Sequence, residues 1–319
     1  MSKTVVFSLS ACKELTEEIC RNLDLEPGKI SVKHFADGEI LIEPEETVRG
    51  RRVYIIQSTS TPVNENLMEV LVCVDACKRA SAAEITVVMP YFGYARQDRK
   101  ARARQPITAK LVADLIQAAG AHRVVTVDLH ATQIQGFFNI PIDDLTVIPL
   151  IGQHFSQYGF KDDELVVVSP DHGGTTRARR LAEYLHAPMA IIDKRRPKPN
   201  VAQAMNVIGD VKDKDCIIID DICDTGGSLL AGVEMLKKHG ARRIYVSVSH
   251  GILSGDAMER IQNSSVTEFY TTNSITQSAE KLAKADKIKV LSIGLMLSKI
   301  INAINNDEPV SEVYNLFQQ

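Results

Sequence analysis

The sequence predicts an α/β protein of two similar domains, each with a mostly parallel central sheet flanked by helices. Short apolar runs alternate with helix-like patterns along the 319 residues, as in chains that build parallel sheets. The runs are continuously apolar, which is typical of strands buried on both faces. A strand followed by an acid occurs at 123–128 and again at 216–221, and this repetition indicates two related halves.

Seven apolar runs predict the buried parallel strands, at 53–57, 85–89, 124–127, 165–168, 190–192, 217–219 and 244–248. Between them, apolar residues recur three and four positions apart, which predicts helices. The predicted helix faces carry Leu67, Val70, Leu71 and Val74, then Ile107, Leu111 and Leu115 after an opening Pro106, then Leu229, Val233 and Leu236 before a closing Gly240.

The length predicts two domains, which we place at 1–149 and 150–319, with the boundary at Pro149. Hydrophobic residues make up 45% of the chain, enough for substantial cores. No apolar run approaches the ~20 residues that span a bilayer, so we expect a cytoplasmic protein without membrane contact. The net charge of −3 argues against a nucleic-acid partner.

The six cysteines, at 12, 20, 73, 77, 216 and 223, lie mostly in apolar patterns. This placement predicts buried free thiols rather than disulfides. Cys73 and Cys77 share a helix face, which would suit a metal ion. No matching His or Cys pair stands nearby in the sequence, so core packing is the favoured interpretation.

The segment 216–230 carries the strongest functional signal, reading Cys-Ile-Ile-Ile-Asp-Asp-Ile-Cys-Asp-Thr-Gly-Gly-Ser-Leu-Leu. Its apolar strand ends in Asp220 and Asp221, at the edge where open α/β sheets bind ligands. These carboxylates would repel a phosphate, so they suit sugar hydroxyls or a magnesium ion.

The second half of this segment predicts a phosphate cradle. Gly226 and Gly227 permit a tight turn and a close approach of the backbone to a ligand. Ser228 is placed to cap the next helix, whose N-terminus attracts a phosphate. An ordinary strand–turn–helix is the simpler alternative, but the combination favours a pocket for a phosphorylated sugar.

Two further strand ends carry polar residues. In the segment 169–179, Asp171 is placed to reach a metal ion, and its glycines allow a diphosphate to approach the backbone. His172 is a second candidate ligand or a polar loop residue, and the latter is favoured. His130 follows Asp128 at a third strand end, where a structural and a functional role are equally compatible with the sequence.

Positive charge is concentrated in two tracts, 96–104 and 194–198. Solvated loops are the simpler reading, but in a slightly acidic chain such tracts favour binding of small polyphosphates. Arg96 could reach phosphates from the end of one strand. Lys194 and Arg196, just beyond another strand, could neutralise charge on a phosphate during transfer.

The segment 216–229 resembles the signature shared by phosphoribosyltransferases and phosphoribosyl diphosphate (PRPP) synthetases. With it, almost the whole chain resembles class I ribose-phosphate diphosphokinases, through the further segments 35–39, 94–98, 128–137, 169–179 and 193–196. The resemblance implies type I phosphoribosyltransferase-like domains. It also implies transfer of the β,γ-diphosphoryl group of ATP to O1 of ribose 5-phosphate, which yields PRPP and AMP.

The resemblance also assigns roles to residues. It implies ATP binding by Phe35, Asp37, Gly38, Glu39, Arg96 and Gln97, and Mg²⁺ binding by His130 and Asp171. It implies that Lys194 and Arg196 are catalytic, on a mobile loop. For ribose 5-phosphate it implies Arg196, Asp220, Asp221, Asp224, Thr225, Gly226, Gly227 and Ser228.

Assembly and regulation follow from the same resemblance. It implies a homohexamer, in which the 35–39 loop reaches into a neighbouring subunit's site, and phosphate and ADP as effectors. The effector residues would be Thr47, Arg49, Ser81, Arg104 and Ser311. This pattern is matched only in part, since Thr47 and Pro309 stand where serine is frequent in the family.

Two alternative functions are compatible with part of this sequence. A phosphoribosyltransferase would consume PRPP, but it would leave Arg96, His130 and Lys194 without a role. A non-catalytic regulatory subunit of the same fold would be expected to lose catalytic residues, whereas the implied site residues are all present here.

Overall fold

The computed structural model of the chain describes residues 3–161, 163–195, 204–311 and 313, with the backbone alone at 194–195 and 204–205. These residues form two compact units. The first contains the chain up to Thr146 with Ser274–Thr276 and Ser292–Val313, and the second contains Val147–Asn273 and Gln277–Leu291. Our sequence-based domains, 1–149 and 150–319, differ from these units chiefly because Ser274–Thr276 and Ser292–Val313 belong to the first unit.

The strands of the first unit are β1 (Thr4–Ser8), β2 (Ile30–His34), β3 (Ile40–Pro44), β4 (Arg52–Ile56), β5 (Glu84–Met89), β6 (Arg123–Val127) and β7 (Ile142–Leu145). Five of them form a parallel sheet in the order β1-β4-β5-β6-β7. The other two, β2 and β3, form an antiparallel hairpin.

The strands of the second unit are β8 (Leu165–Ser169), β9 (Met189–Arg195), β10 (Ala204–Ile208), β11 (Asp215–Cys223), β12 (Arg243–Gly251), β13 (Glu268–Thr272) and β14 (Ile288–Leu291). They form one sheet in the order β10-β9-β8-β11-β12-β13-β14. The sheet is parallel except at its edge, where β10 runs antiparallel to β9.

Helices connect the strands. They are α1 (Lys13–Asn22), α2 (Val63–Arg79), α3 (Thr108–Ala119), α4 (Ile148–Ser156), α5 (Thr175–Tyr184), α6 (Gly227–Lys238), α7 (Ala257–Gln262), α8 (Ala279–Leu282) and α9 (Gly294–Asn305), with a 3₁₀ helix at Thr132–Phe137. Within the described ranges, no helix has both the length and the apolarity that a bilayer crossing requires.

The first sheet is covered on both faces, which explains its continuously apolar strands. On one face, Val53 and Ile55 share a core with Val70 of α2 and Ile116 of α3. On the other face, the Tyr54 hydroxyl donates to the carbonyl of Ile301 in α9 at 3.5 Å. Helix α9 also packs against α1, so a helix from late in the sequence completes the first unit.

The second sheet is covered in the same way. On one face, Ile218 and Val246 pack with Val233 of α6. On the other face, Phe155 of α4 meets Tyr245, with ring centroids 5.8 Å apart. The predicted fold class, mostly parallel sheets flanked by helices, is therefore confirmed by both units.

The structure also confirms the prediction for the cysteines, since all six are buried and free. Cys73 and Cys77 lie one helical turn apart in α2 and belong to the core of the first unit. Core packing therefore accounts for this pair, as the sequence indicated.

The predicted face of α3 is wrong. The helix begins at Thr108 rather than Pro106, and it buries Ala109, Val112, Ala113 and Ile116. Leu111 and Leu115, which we placed in the core, are 55% and 39% exposed. The buried side combines two alanines with Val112 and Ile116, so the leucines of this helix did not mark its core face.

We expect Ile116→Ala to lower the free energy of unfolding by about 2–5 kcal/mol, because it removes buried methyl groups and leaves a cavity. Leu111→Ala on the same helix is the matched control, and we expect it to change stability by less than about 0.5 kcal/mol. Urea unfolding followed by circular dichroism measures both. Equal losses would contradict the burial of only one face of α3.

Candidate functional site

The acidic pair of the second unit lies in the part of β11 that extends beyond the end of the neighbouring strand β8. Strand β11 pairs with β8 only along Asp215–Ile218, but it continues beside β12 as far as Cys223. Asp220 and Asp221 therefore lie inside the end of β11, rather than just after a shorter strand as we predicted. Beyond the end of β8, the edge of β11 faces the loop and helix that follow β8.

An arginine from that helix meets both carboxylates. Arg177 Nη1 lies 3.5 Å from Asp220 Oδ1 and 3.3 Å from Asp221 Oδ1. The backbone N–H of Asp221 also donates to Asp220 Oδ1, at 2.9 Å. All three side chains are largely buried, with exposed fractions of 17% for Arg177, 25% for Asp220 and 8% for Asp221.

This site is electrostatically costly. Burial, and then the neighbouring Asp221 charge, raise the pKa of Asp220 to about 7, although the Arg177 guanidinium opposes the rise. Arg177 offsets only part of the charge of the two carboxylates, since the pKa of Asp220 stays raised beside it. Such a site suits a ligand that offers hydroxyl donors or a cation.

The turn after β11 has the form expected of an anion site. Gly226 has a φ of +72°, in the left-handed region that glycine adopts without strain, and α6 begins directly after it. The first backbone N–H groups of α6 have no carbonyl partner within the helix and attract anions.

Ser228 does not occupy the cap position that we predicted for it. Gly226 is the N-cap residue, and Ser228 lies in the first turn of α6. The left-handed glycine reverses the chain two residues earlier than a serine cap would. Ser228 is nevertheless part of the same helix N-terminus, beside Thr225 and Gly227.

A second arginine lies at this turn. Arg260 of α7 donates from Nη1 to the carbonyl of Thr225 at 3.1 Å. A side chain at Gly227 would come within 3.7 Å of the same guanidinium. A fixed positive charge therefore lies beside the predicted phosphate cradle.

Our sequence analysis missed both arginines. Arg177 lies within the segment 169–179 that drew attention, but nothing in the sequence pairs it with the acids. Arg260 lies in another helix more than thirty residues after the turn, and no sequence signal marks it.

The loop after β8 holds Asp171 in place. The backbone N–H of Gly174 donates to Asp171 Oδ1 at 3.0 Å, and the Ser169 hydroxyl donates to the Asp171 carbonyl at 2.6 Å. His172 Nε2 lies 3.1 Å from Oδ1 of the buried Asp193. The structure thus accounts for His172 as a loop residue paired with a carboxylate.

Lys194 belongs to strand β9, where it pairs with Met205 of β10. We expected it on a loop after a strand that ended near 192, and this expectation is wrong. The strand is longer because β10 pairs with it as far as Arg195. Arg196, the other residue to which we assigned a catalytic role, lies outside the described residues.

In the first unit, the predicted ATP-binding residues Phe35 to Glu39 form the tip of the β2–β3 hairpin. The N–H of Phe35 donates to the Glu39 carbonyl at 2.8 Å, and the N–H of Glu39 donates to Asp37 Oδ1 at 3.1 Å. Phe35 is 53% exposed. The tip, which includes Gly38, therefore presents an aromatic ring beside two carboxylates.

Arg96 and Gln97 follow β5 on an anchored segment, and both are exposed. The Gly93 N–H donates to the Thr59 hydroxyl at 2.6 Å, and the Thr108 hydroxyl donates to Gln97 Oε1 at 2.6 Å. These bonds fix the segment at both ends and leave its polar side chains at the surface.

His130 is exposed and follows β6, the neighbour of β5 in the sheet. Gln133 Nε2 donates to Asp98 Oδ2 at 2.8 Å, which links the loops after the two strands. The structure therefore brings the loops that carry Arg96 and His130 to the same edge of the first sheet.

The predicted effector residues are all exposed members of the first unit. Arg49 Nη1 donates to the Ser81 hydroxyl at 3.1 Å, so the structure brings these two together. The Thr47 carbonyl accepts a bond from Arg51 at 3.1 Å. Arg104 and Ser311 are the remaining two.

Among the described residues, no group of three or more His, Cys, Asp or Glu side chains forms a metal cage. Mg²⁺ seldom needs one, since it usually keeps several waters and takes one or two carboxylates together with substrate phosphates. Asp171, held by Gly174, is a carboxylate of this kind. The residues therefore fit a Mg²⁺ ion that arrives with a polyphosphate.

Comparison with known proteins points to one family. The model of the N-terminal domain of ribose phosphate pyrophosphokinase matches residues 4–120, and the model of the phosphoribosyl synthetase-associated domain matches 194–315. Ribose-phosphate pyrophosphokinase 1 of Listeria innocua is 55% identical over 312 residues, which cover 98% of this chain and 97% of that protein. The ribose-phosphate pyrophosphokinase of Bacillus cereus is 52% identical over 314 residues, which cover 98% of each.

A solved structure supports the same family. The crystal structure of phosphoribosylpyrophosphate synthetase from Mycobacterium smegmatis matches with a TM-score of 0.90 at 38% identity. The match covers 96% of this chain and 100% of that chain. It extends the likeness from sequence motifs to the whole fold.

We expect Asp220→Asn to stabilise the fold by about 1–3 kcal/mol at pH 8, because it removes a buried charge that is held beside another. The folded pKa of Asp220 is above its ordinary value, so the ionised group costs stability, and this cost grows as pH rises from about 4 to about 7. The gain should therefore shrink at pH 5.

Thermal denaturation at pH 5 and pH 8 measures this gain. Asp286→Asn, an exposed acid of the same unit, is the control for a general loss of one negative charge. A gain of the same size at both pH values, or in the control, would contradict the assigned electrostatics.

Proposed function

The chain belongs to the ribose-phosphate pyrophosphokinase family of enzymes, and on this basis we propose that it transfers the β,γ-diphosphoryl group of ATP to O1 of ribose 5-phosphate. The products are PRPP and AMP. The observation that carries the proposal is the buried pair Asp220 and Asp221, followed by the left-handed turn at Gly226 that starts α6.

Ribose 5-phosphate suits this part of the second unit because it has hydroxyls at one end and a phosphate at the other. Asp220 and Asp221 accept hydrogen bonds from the ring hydroxyls, with Asp224 close in sequence. The backbone and hydroxyl groups of Thr225–Ser228 hold the 5-phosphate at the start of α6. Arg260, fixed on the Thr225 carbonyl, adds positive charge there.

ATP suits the loops of the first unit. The exposed ring of Phe35 offers a face on which adenine can stack. The carboxylate and carbonyl oxygens of Asp37 to Glu39 accept hydrogen bonds from the amino group of adenine. Arg96 and Gln97, on their anchored segment, bind the phosphates. In this proposal the hairpin tip serves the site of a neighbouring subunit.

The reaction itself asks little covalent chemistry of the protein. It requires in-line placement of the attacking O1 and the departing AMP, and neutralisation of the charge on the transferred phosphoryl oxygens. Lys194, Arg196 and Arg96 supply that positive charge in this proposal. The carboxylates Asp220 and Asp221 orient the sugar so that O1 points at the phosphorus.

Mg²⁺ is the proposed cofactor and arrives with the nucleotide phosphates; His130 of the first unit and Asp171 of the second are the residues proposed as its ligands. When bound, it neutralises phosphate charge and orients the diphosphoryl group. The fixed carboxylate of Asp171 is the observation in favour of this assignment.

We also propose a homohexamer, with phosphate and ADP as effectors. The contact between Arg49 and Ser81 supports the effector site, because a guanidinium and a hydroxyl together suit an anion. Thr47, Arg104 and Ser311 are the further residues proposed for this site.

The two alternative functions fit the comparisons less well. A phosphoribosyltransferase does not explain the match of residues 4–120 to the N-terminal domain of the pyrophosphokinase. A non-catalytic subunit does not explain why full-length relatives at 52–55% identity are named as pyrophosphokinases.

The direct test is an assay of the purified full chain with ATP, Mg²⁺ and ribose 5-phosphate. We expect AMP and PRPP to form in equal amounts, measured by chromatography of the nucleotides and of the sugar product. Omission of ribose 5-phosphate is the control, and it should abolish AMP formation. Release of ADP in place of AMP would overturn the proposal.

We expect Lys194→Ala to lower kcat by roughly a hundredfold or more, since it removes a cation that the transferred group needs. Lys238→Ala, at the exposed far end of α6, is the control, and its kcat should stay at the wild-type value. Thermal denaturation of both variants checks that the fold is intact. A Lys194→Ala enzyme with unchanged kcat would remove this residue from the mechanism.

A further inference from the structure

Arg177 is turned inward from a helix whose neighbouring arginines face solvent. It lies in the first turn of α5, and its side chain is 17% exposed, whereas Arg179 and Arg180 are exposed. The inward side chain links helix α5 to strand β11, because its Nη1 contacts the two acids at the end of that strand.

The start of α5 is packed closely enough to make this contact possible. A side chain at Gly174, the residue before α5, would come within 3.0 Å of the Ser169 hydroxyl at the end of β8. The first turn of α5 therefore lies against the end of β8. From there Arg177 reaches Asp220 and Asp221 on the adjacent strand, past the point where β8 and β11 stop pairing.

The two acids need such a partner if they are to bind a sugar. Adjacent buried carboxylates repel each other, and one of them takes up a proton if nothing compensates the second charge. A protonated carboxyl carries a donor of its own, whereas an ionised carboxylate offers only acceptors to the sugar hydroxyls. A cation that contacts both carboxylates favours the ionised pair and fixes its orientation.

We propose that Arg177 is a positioning residue for ribose 5-phosphate, which holds Asp220 and Asp221 in the arrangement that accepts the ring hydroxyls. This inference rests on the proposed function of the same site. It assigns Arg177 no contact with the reacting phosphorus, so its loss should weaken sugar binding more than nucleotide binding.

The test compares Arg177→Gln with the wild type in steady-state kinetics of the full chain. We expect KM for ribose 5-phosphate to rise roughly ten- to hundredfold, as for the loss of hydrogen bonds to charged groups. KM for ATP should change less than about threefold. Arg180→Gln, on the exposed side of the same helix, should leave both KM values unchanged.

The pH profile provides a second readout that a purely structural arginine would not move. Among the described residues, the titratable and charged groups that interact with Asp220 include Asp221 on its own strand, Arg177 on α5 and the thiol of Cys223. Burial raises the pKa of Cys223 to about 12, so this thiol stays neutral in the assay. Loss of Arg177 should therefore move the acid limb of kcat/KM for ribose 5-phosphate to higher pH.

Arg177→Lys decides the matter if the glutamine variant fails to fold. Lysine keeps the charge but places its one nitrogen differently from Nη1, which contacts both carboxylates, so we expect a rise in KM for ribose 5-phosphate of roughly two- to tenfold. A wild-type KM for ribose 5-phosphate in Arg177→Lys together with an unfolded Arg177→Gln would overturn the inference. An equal rise of both KM values in Arg177→Gln would overturn it as well.

The outcomes also separate this inference from the proposed function. A wild-type chain that forms no AMP from ATP and ribose 5-phosphate removes the proposed function itself. A wild-type chain that forms AMP, beside an Arg177→Gln variant with unaltered KM and pH profile, removes only the role of Arg177.

Discussion

The burial of two adjacent carboxylates at the end of β11 is the constraint on which the second unit depends. The strand pairs with β12 as far as Cys223 but with β8 only as far as Ile218. On the β8 side, the acids therefore have no neighbouring strand among the described residues. Two neighbouring features complete the arrangement. Arg177 balances part of the charge from α5, and the turn at Gly226 starts α6 close by in sequence.

The same geometric rule places the loops of the first unit. Parallel strands end at one edge of a sheet, so the loops after β5 and β6 meet there, joined by the bond between Gln133 and Asp98. The rigid sheets carry stability, and the loops at their carboxyl ends are left to carry chemistry. The acidic pair lowers the stability of the fold, because buried charges that can bind a ligand are unfavourable in the folded chain.

The sequence predicted what depends on local pattern. Continuous apolar runs located the strands, and the Asp-Asp and Gly-Gly pairs located the candidate site, because strand burial and tight turns leave marks on neighbouring residues. It failed where tertiary contacts decide. Two of the four residues on the core face of α3 are alanines, so the exposed Leu111 misled us. The length of β9 depends on its pairing with β10.

The two arginines at the acids and the turn were beyond sequence reasoning for a related reason. Arg177 and Arg260 approach the end of β11 from different helices, and only the packing of α5 and α7 brings them there. A charged residue on a helix is more often a solvated one, so its type alone carries no signal. The direction of the side chain decides whether a helix arginine is solvated or buried at a site, and this direction follows from the fold.

The return of α9 to the first unit has a consequence for biosynthesis. Arg52 of β4 donates to the carbonyl of Ile304 at 3.3 Å, so early and late parts of the chain are mutual partners. A ribosome releases the N-terminal sheet long before it makes the helix that covers one face of that sheet. The apolar surface that α9 covers therefore stays exposed on the nascent first unit until residues 294–305 have been translated.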